Sequence, residues 1–345
     1  MSIKSNLKWP SLLLVLLMVI SSQAIANEQS TSLGWHKMSW QQQKIIREYR
    51  YLITKNNVEP KPLVILLHGG TQNMHKIFAK HAGGSKQWPI LAKKHGFVLL
   101  TPNGTSPKTG SGQGKKLNWN DCRSSHPKDR YHVVADDVAF IRHLVDWSIT
   151  NLAVDPKQVF VVGASNGGMM SYRLAAELPN KITAVAAFIA NLPQQSECKK
   201  AQTPIPLFIF NSNKDPFMPW GGGEIKSNGG QVISAQQTLD YWLAVNQSST
   251  VAQAEVFRDL NTKDHSRVSG KCYPKKSANS AKTCFYQALG SGHVTPSIAH
   301  KIPYWIQKRI IGWQNYDVES ADMAWDFFQS IEAIRTTGAQ TKKNR

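Results

Sequence analysis

The sequence predicts an α/β fold with a mostly parallel central sheet and helices on both faces. Three observations point there. Short continuous apolar runs recur along the chain, segments with helical spacing fall between them, and the connections are brief. A run without polar alternation belongs to a strand buried on both faces, as parallel strands are.

Taken in order, Lys44 to Thr54 (KIIREYRYLIT) alternates enough for an early strand, and Leu63 to Leu67 (LVILL) reads as a fully buried one. Ser85 to His95 has helical spacing, and Gly96 then separates it from the strand Phe97 to Leu100 (FVLL). Ser106 to Lys116 is a Gly/Ser/Lys loop. Asp136 to Ile149 follows as a helix whose two leading acids complement the macrodipole. Val159 to Val162 (VFVV), Ala184 to Ala190, Pro206 to Phe210 (PLFIF) and Thr283 to Leu289 read as further strands. Asn166 to Leu178, Ala235 to Val245, Ile298 to Ile311 and Ala321 to Ile331 read as helices, and Thr341 to Arg345 as a frayed tail.

Residues 1–26 have the parts of an export signal. Lys4 and Lys8 precede the apolar run Ser11 to Ile20, and Ala24-Ile25-Ala26 is a small-x-small cleavage site. The run is short for a bilayer span, so a secreted or periplasmic protein without stable membrane insertion is expected. No repeat and no Pro- or Thr-rich linker divides the rest, which predicts a single catalytic domain over residues 27–345. The four cysteines, Cys122, Cys198, Cys272 and Cys284, suit disulfides in an exported chain. Three pairings are possible. The short polar loop between Cys272 and Cys284 favours a local staple, which leaves Cys122 with Cys198.

The net charge is +19, of which the leader carries two. Lys and Arg are scattered in pairs such as Lys93-Lys94 and Lys275-Lys276, with no basic helix and no interleaved stacking aromatics. A solvated cationic surface explains that pattern better than nucleic-acid binding does.

Gly163-Ala-Ser165-Asn-Gly167 is a Gly-x-Ser-x-Gly match that chance supplies in about one chain in ten of this length. Its context carries more weight: a buried strand ends at Gly163, and a helix-compatible run starts at Asn166. In the α/β-hydrolase fold such a sharp turn lifts the serine hydroxyl above the sheet edge, and side chains in place of the glycines would clash with neighbouring strand and helix. A hydroxyl is a weak nucleophile at neutral pH, so it needs a base and a group that orients the base, in the order Ser, acid, His.

Only His265, His293 and His300 follow Ser165. His265 lies in a charged stretch and His300 in a predicted helix, whereas His293 sits in the loop GSGHVTPS after a strand. For the acid, Asp215 directly follows PLFIF, while Asp264 and Asp240 lack a preceding buried strand. Asp215 also suits turn initiation before Pro216. The oxyanion needs backbone donors, and the candidates are Asn166, next to the nucleophile, with Gly70 and Thr71 in the loop His68-Gly-Gly-Thr-Gln72 after LVILL.

HGGTQN, the Trp119-Asn120-Asp121-Cys122 segment, DDVAFIRHLVD, the run VDPKQVFVVGASNGGMMSYRLA and Asp215 in NSNKDPFMPW together resemble the secreted polyhydroxybutyrate depolymerase and feruloyl or acetylxylan esterase family of α/β hydrolases, over most of residues 45–331. The resemblance implies hydrolysis of carboxylic esters through an acyl-enzyme, with no cofactor or metal, and carries over as Ser165, Asp215 and His293. It also implies a disulfide between Cys122 and Cys198. This chain has GSGHVTPS where family members often have GGGHTWPG, so that tryptophan is missing. Trp119 and Trp220 are candidate apolar walls for an acyl group. A serine peptidase would share the triad, but peptidases of this fold usually carry extra length that is not evident here. A non-catalytic basic binding protein on the same scaffold would fail to react with a fluorophosphonate.

Overall fold

A computed structural model describes residues 32–55, 59–123, 132–226 and 229–343, with side chains described as far as Ile331. The export-signal expectation for residues 1–26 lies outside the described residues.

The strands, in chain order, are β1 (Gly34–Gln42), β2 (Ile45–Ile53), β3 (Lys61–Leu67), β4 (Val98–Pro102), β5 (Val154–Ala164), β6 (Ala184–Phe188), β7 (Leu207–Ser212), the two-residue β8 (Gly223–Glu224) and β9 (Gln231–Val232), then β10 (Gln253–Val256), β11 (Arg267–Tyr273) and β12 (Thr283–Leu289). Ten of them form one sheet in the order β1-β2-β4-β3-β5-β6-β7-β12-β11-β10, and β8 pairs with β9. The six central strands, β4 to β12, run parallel. Antiparallel strands extend both edges.

The continuous apolar runs have the two-sided burial that parallel strands need. Along β3, Leu63, Ile65 and Leu67 enter one core, whereas Val64 and Leu66 enter the other. β5 divides in the same way, with Val159 and Val161 opposite Phe160 and Val162. Helices α2 (Asp137–Asn151), α3 (Asn166–Glu177) and α4 (Ala235–Asn246) cover the first face. The second is covered by α1 (Trp88–His95) and α6 (Ser320–Lys343). Among the described residues no helix is long and apolar enough to cross a membrane.

Several expectations need correction. β1 was not anticipated, since its central Lys37, Met38 and Ser39 are exposed, yet it pairs with β2 along its whole length and packs Trp40 against Phe140. The helix expected over Ile298 to Ile311 is reduced to a turn, α5 (Tyr304–Ile306), followed by a π-turn over Gln307–Ile311. Pro303 disfavours a helical residue before it. The amides upstream are met by side chains instead: Ile298 and Ala299 donate to Glu319 Oε2, His300 to Ser297 Oγ, and Ile302 to Gln314 Oε1. His300 is therefore a loop residue, its Nε2 3.1 Å from Gln87 Oε1. α6 continues to Lys343, where a frayed tail was expected from Thr341.

At the start of α2 the two acids divide their tasks. Asp136 is the cap and accepts from the Ala139 N–H. Asp137 is fully buried, pairs with Arg47 of β2 at 2.5 Å, and accepts from the Asn120 N–H at 2.7 Å, so its role is a buried ion pair more than a dipole partner. Both disulfides form as expected, Cys122 with Cys198 and Cys272 with Cys284. The second joins directly opposed residues of β11 and β12.

Candidate active site

β5 ends at Ala164, α3 begins at Asn166, and Ser165 alone makes the turn. Its φ of 57° and ψ of −124° put a non-glycine residue in a strained region, and functional residues concentrate in such regions. The flanking glycines are dictated by contact. A Cβ at Gly163 would collide with the Gly167 carbonyl in the helix, and one at Gly167 would sit 2.5 Å from the Leu67 carbonyl oxygen at the end of β3. The Ser165 N–H donates to Phe188 O at 2.9 Å, which fixes the turn against β6.

Three expected residues meet here. Ser165 Oγ lies 2.9 Å from His293 Nε2, and His293 Nδ1 lies 2.7 Å from Asp215 Oδ2. The Asp215 side chain is 1% exposed and that of His293 16%, so the carboxylate is shielded behind a ring that reaches solvent. Asp215 also initiates the turn before Pro216: its Oδ1 accepts from the Phe217 and Met218 N–H groups, each at 2.8 Å. One oxygen anchors the loop while the other faces the imidazole. The His293 loop is clamped from outside, since Gly292 N–H donates to Trp313 O and His293 N–H to Ile311 O. A side chain at Gly292 would strike that strap.

The rival histidines and acids are elsewhere. His265 is exposed after the turn Thr262–Asp264. Asp264 accepts from Ser266 and Tyr316, and Asp240 from Gln236.

Of the expected oxyanion donors, Thr71 is committed elsewhere: its N–H donates to Asn118 Oδ1 at 2.7 Å. Thr71 has φ 61° and holds the loop's shape with that bond. Gly70 and Asn166 both line the cavity beside Ser165.

Supporting side chains lay beyond sequence reasoning. Asn166 Oδ1 accepts from Trp119 N–H, and its Nδ2 donates to Trp119 O and to Asp121 Oδ2. Asp121 Oδ1 in turn binds Arg123 Nε at 2.9 Å. His68 is fully buried. Its Nε2 accepts from Gly104 N–H, which leaves Nδ1 to donate to Gly69 O. Burial, outweighing the bond to Gly69, pushes its pKa down to about 4, so the neutral ring is the structural form. HGGTQN and the Trp-Asn-Asp segment stand out in the sequence, but their residue types alone do not reveal these partners.

The site opens into a cavity of about 400 Å³. Neither expected tryptophan lines it. Trp119 is 1% exposed, with its indole N–H donating to His68 O, and Trp220 packs on Phe285 at the edge of the core. Residue type suggested a wall, but burial against His68 takes Trp119 away from it. Apolar surface comes instead from Ile77, Trp88, Phe188, Val294, Ile302 and Ile306. Phe217 stands beside His293, with ring centroids 5.2 Å apart.

Cys122, Cys198 and Glu177 cluster closely enough for a metal, but both sulfurs are consumed by the disulfide and Glu177 pairs with Arg173.

The sequence profile described as phospholipase/carboxylesterase matches residues 50–239. Among curated proteins, the chain is 30% identical over 248 residues to poly(3-hydroxyalkanoate) depolymerase C of Paucimonas lemoignei, covering 68% of this chain and 55% of that one. It is 27% identical over 167 residues to a bifunctional acetylxylan esterase/xylanase of Neocallimastix patriciarum, covering 48% and 21%. The chain thus spans about half or less of the length of these relatives. Among solved structures, the acetyl xylan esterase from Aspergillus awamori superposes with a TM-score of 0.51 at 15% identity, over 76% of this chain and 96% of that one, a likeness of fold.

Proposed function

Because the chain belongs to the phospholipase/carboxylesterase family, we propose that it is an exported serine carboxylic-ester hydrolase, polyhydroxybutyrate depolymerase-like, acting on short-chain hydroxyalkanoate or related esters. One observation carries this reading: the continuous path from Ser165 Oγ through His293 to the buried carboxylate of Asp215. In the proposed cycle, His293 Nε2 takes the Ser165 proton as Oγ attacks the ester carbonyl. Asp215 holds the ring with Nδ1 protonated and stabilises the imidazolium. The oxyanion is received by the N–H groups of Gly70 and Asn166, and the N-terminus of α3 adds to their field. His293 then protonates the leaving alkoxide, and water releases the acyl group by the reverse sequence.

The hydroxyalkanoate substrate class is supported by the depolymerase similarity. The acetylxylan esterase similarity supports the alternative of acetylated or feruloylated plant polysaccharide. Export is supported by the leader sequence and by two disulfides, which persist in oxidising compartments. A fluorophosphonate should label the wild-type protein at Ser165, and Ser165→Ala should lose both labelling and p-nitrophenyl butyrate hydrolysis while keeping the wild-type circular dichroism. Hydrolysis that survives the substitution would remove Ser165 from the mechanism. A panel of hydroxybutyrate oligomers, acetylated xylan and feruloyl esters then ranks the two substrate classes.

A further inference from the structure

The cavity has a one-sided charge. Its described lining includes Arg123 and Lys226 and no Asp or Glu. Arg123 is matched by the carboxylate of Asp121, whereas no ion pair involves Lys226 among the described residues. Lys226 is exposed at the rim, where its Nζ sits 5.3 Å from the centre of the Phe217 ring. That ring is the one packed beside His293. A single aromatic side chain therefore separates the ammonium from the base.

Position relative to His293 decides which part of an ester meets this charge. Imidazole Nε2 gives its proton to the departing oxygen, so the alcohol half of the substrate leaves past His293. From these contacts we infer that Lys226 recognises an anionic group on the leaving alcohol, and that the preferred substrate is an ester whose alcohol half is a hydroxy acid bearing a free carboxylate. This inference rests on the esterase reading above. The apolar surface of Ile77, Trp88 and Ile306 lies among the lining residues without charge and suits the acyl half. In the step itself, Ser165 Oγ bonds to the acyl carbon and the ester C–O bond breaks. The alkoxide takes the proton from His293, and the hydroxy acid departs with its carboxylate still ionised. Water then hydrolyses the acyl-enzyme, so one ester and one water give one acid and one hydroxy acid.

The test uses two esters that differ only in charge, the butanoyl ester of β-hydroxybutanoate and that of β-hydroxybutanamide. The quantity read is the ratio of their kcat/KM values, carboxylate over amide. Wild type should favour the carboxylate, and the preference should shrink at molar salt, where charges are screened within a few ångströms. Lys226→Ala should lower the ratio roughly three- to tenfold, the scale of a partly screened contact, and Lys226→Glu should lower it further. Lys226→Arg should restore it. A wild-type ratio near one, or a ratio unmoved by Lys226→Ala, overturns the inference. Hydrolysis of p-nitrophenyl butyrate by the wild type separates the two failures: if it proceeds while the ratio is flat, only the role of Lys226 falls, and if it is absent, the esterase reading falls and this inference falls with it.

Discussion

Asp215 and His293 are joined at 2.7 Å through one carboxylate oxygen, while the other oxygen of Asp215 is saturated by two backbone N–H groups of its own loop. The carboxylate cannot rotate away from the imidazole without giving up both loop bonds. Asp215→Asn keeps the size but presents an amide that can invert the ring's tautomer. It should lower kcat by roughly a thousandfold to ten-thousandfold, with little change in melting temperature. Steady-state kinetics beside thermal unfolding checks this, and a loss of stability equal to the loss of activity would argue for a merely structural Asp215.

The Asn118 side chain fixes the Thr71 amide at 2.7 Å, and through it the loop that presents Gly70. Asn118→Ala should lower kcat by about ten- to a hundredfold with a smaller effect on KM, because a misplaced donor is felt in the transition state. The kcat and KM values measured separately decide it, and a pure KM effect would remove Gly70 from the oxyanion site.

Neutral His68 imposes a pH dependence on stability. The unfolded ring titrates near 6.5 and the buried one at about 4, so the unfolded chain binds the extra proton between those values. Stability is free of this penalty above pH 6.5, falls as the pH drops, and carries the full loss below about 4, on the order of 3 kcal/mol. Urea denaturation across that range should show the slope, and His68→Gln should flatten it.

Arg47 and Asp137 form an ion pair from which water is excluded, with the guanidinium also resting on the Phe140 ring. Asp137→Ala strands a buried cation and should cost about 3–5 kcal/mol. The double variant Arg47→Met with Asp137→Ala should recover part of that loss. Chemical denaturation of the two variants gives the comparison.

The sheet was legible wherever a strand is buried on both faces, since LVILL, VFVV and PLFIF admit few alternatives. The grouping of Ser165, Asp215 and His293 was legible because each follows a strand end in a fixed chain order. What escaped reading depends on contacts distant in the chain. Asn118 claims Thr71 from 47 residues away, and Glu319 takes the amides of Ile298 and Ala299 from about twenty. Trp119 misled because residue type does not tell a cavity wall from a buried support. β1 gave little signal, because its centre is exposed and backbone pairing with β2 holds it, with Trp40 packed on the core.

The bond between Cys122 and Cys198 closes a covalent loop of 76 residues that contains Ser165 and the whole of α3. Lys181, between α3 and β6, is a trypsin-type target inside this loop. After a cut there, the piece bearing Ser165 stays tethered to the piece bearing Asp215 and His293. Separation of the two pieces after a cut at that site then requires a reductant, so their covalent connection depends on the redox state of the surroundings.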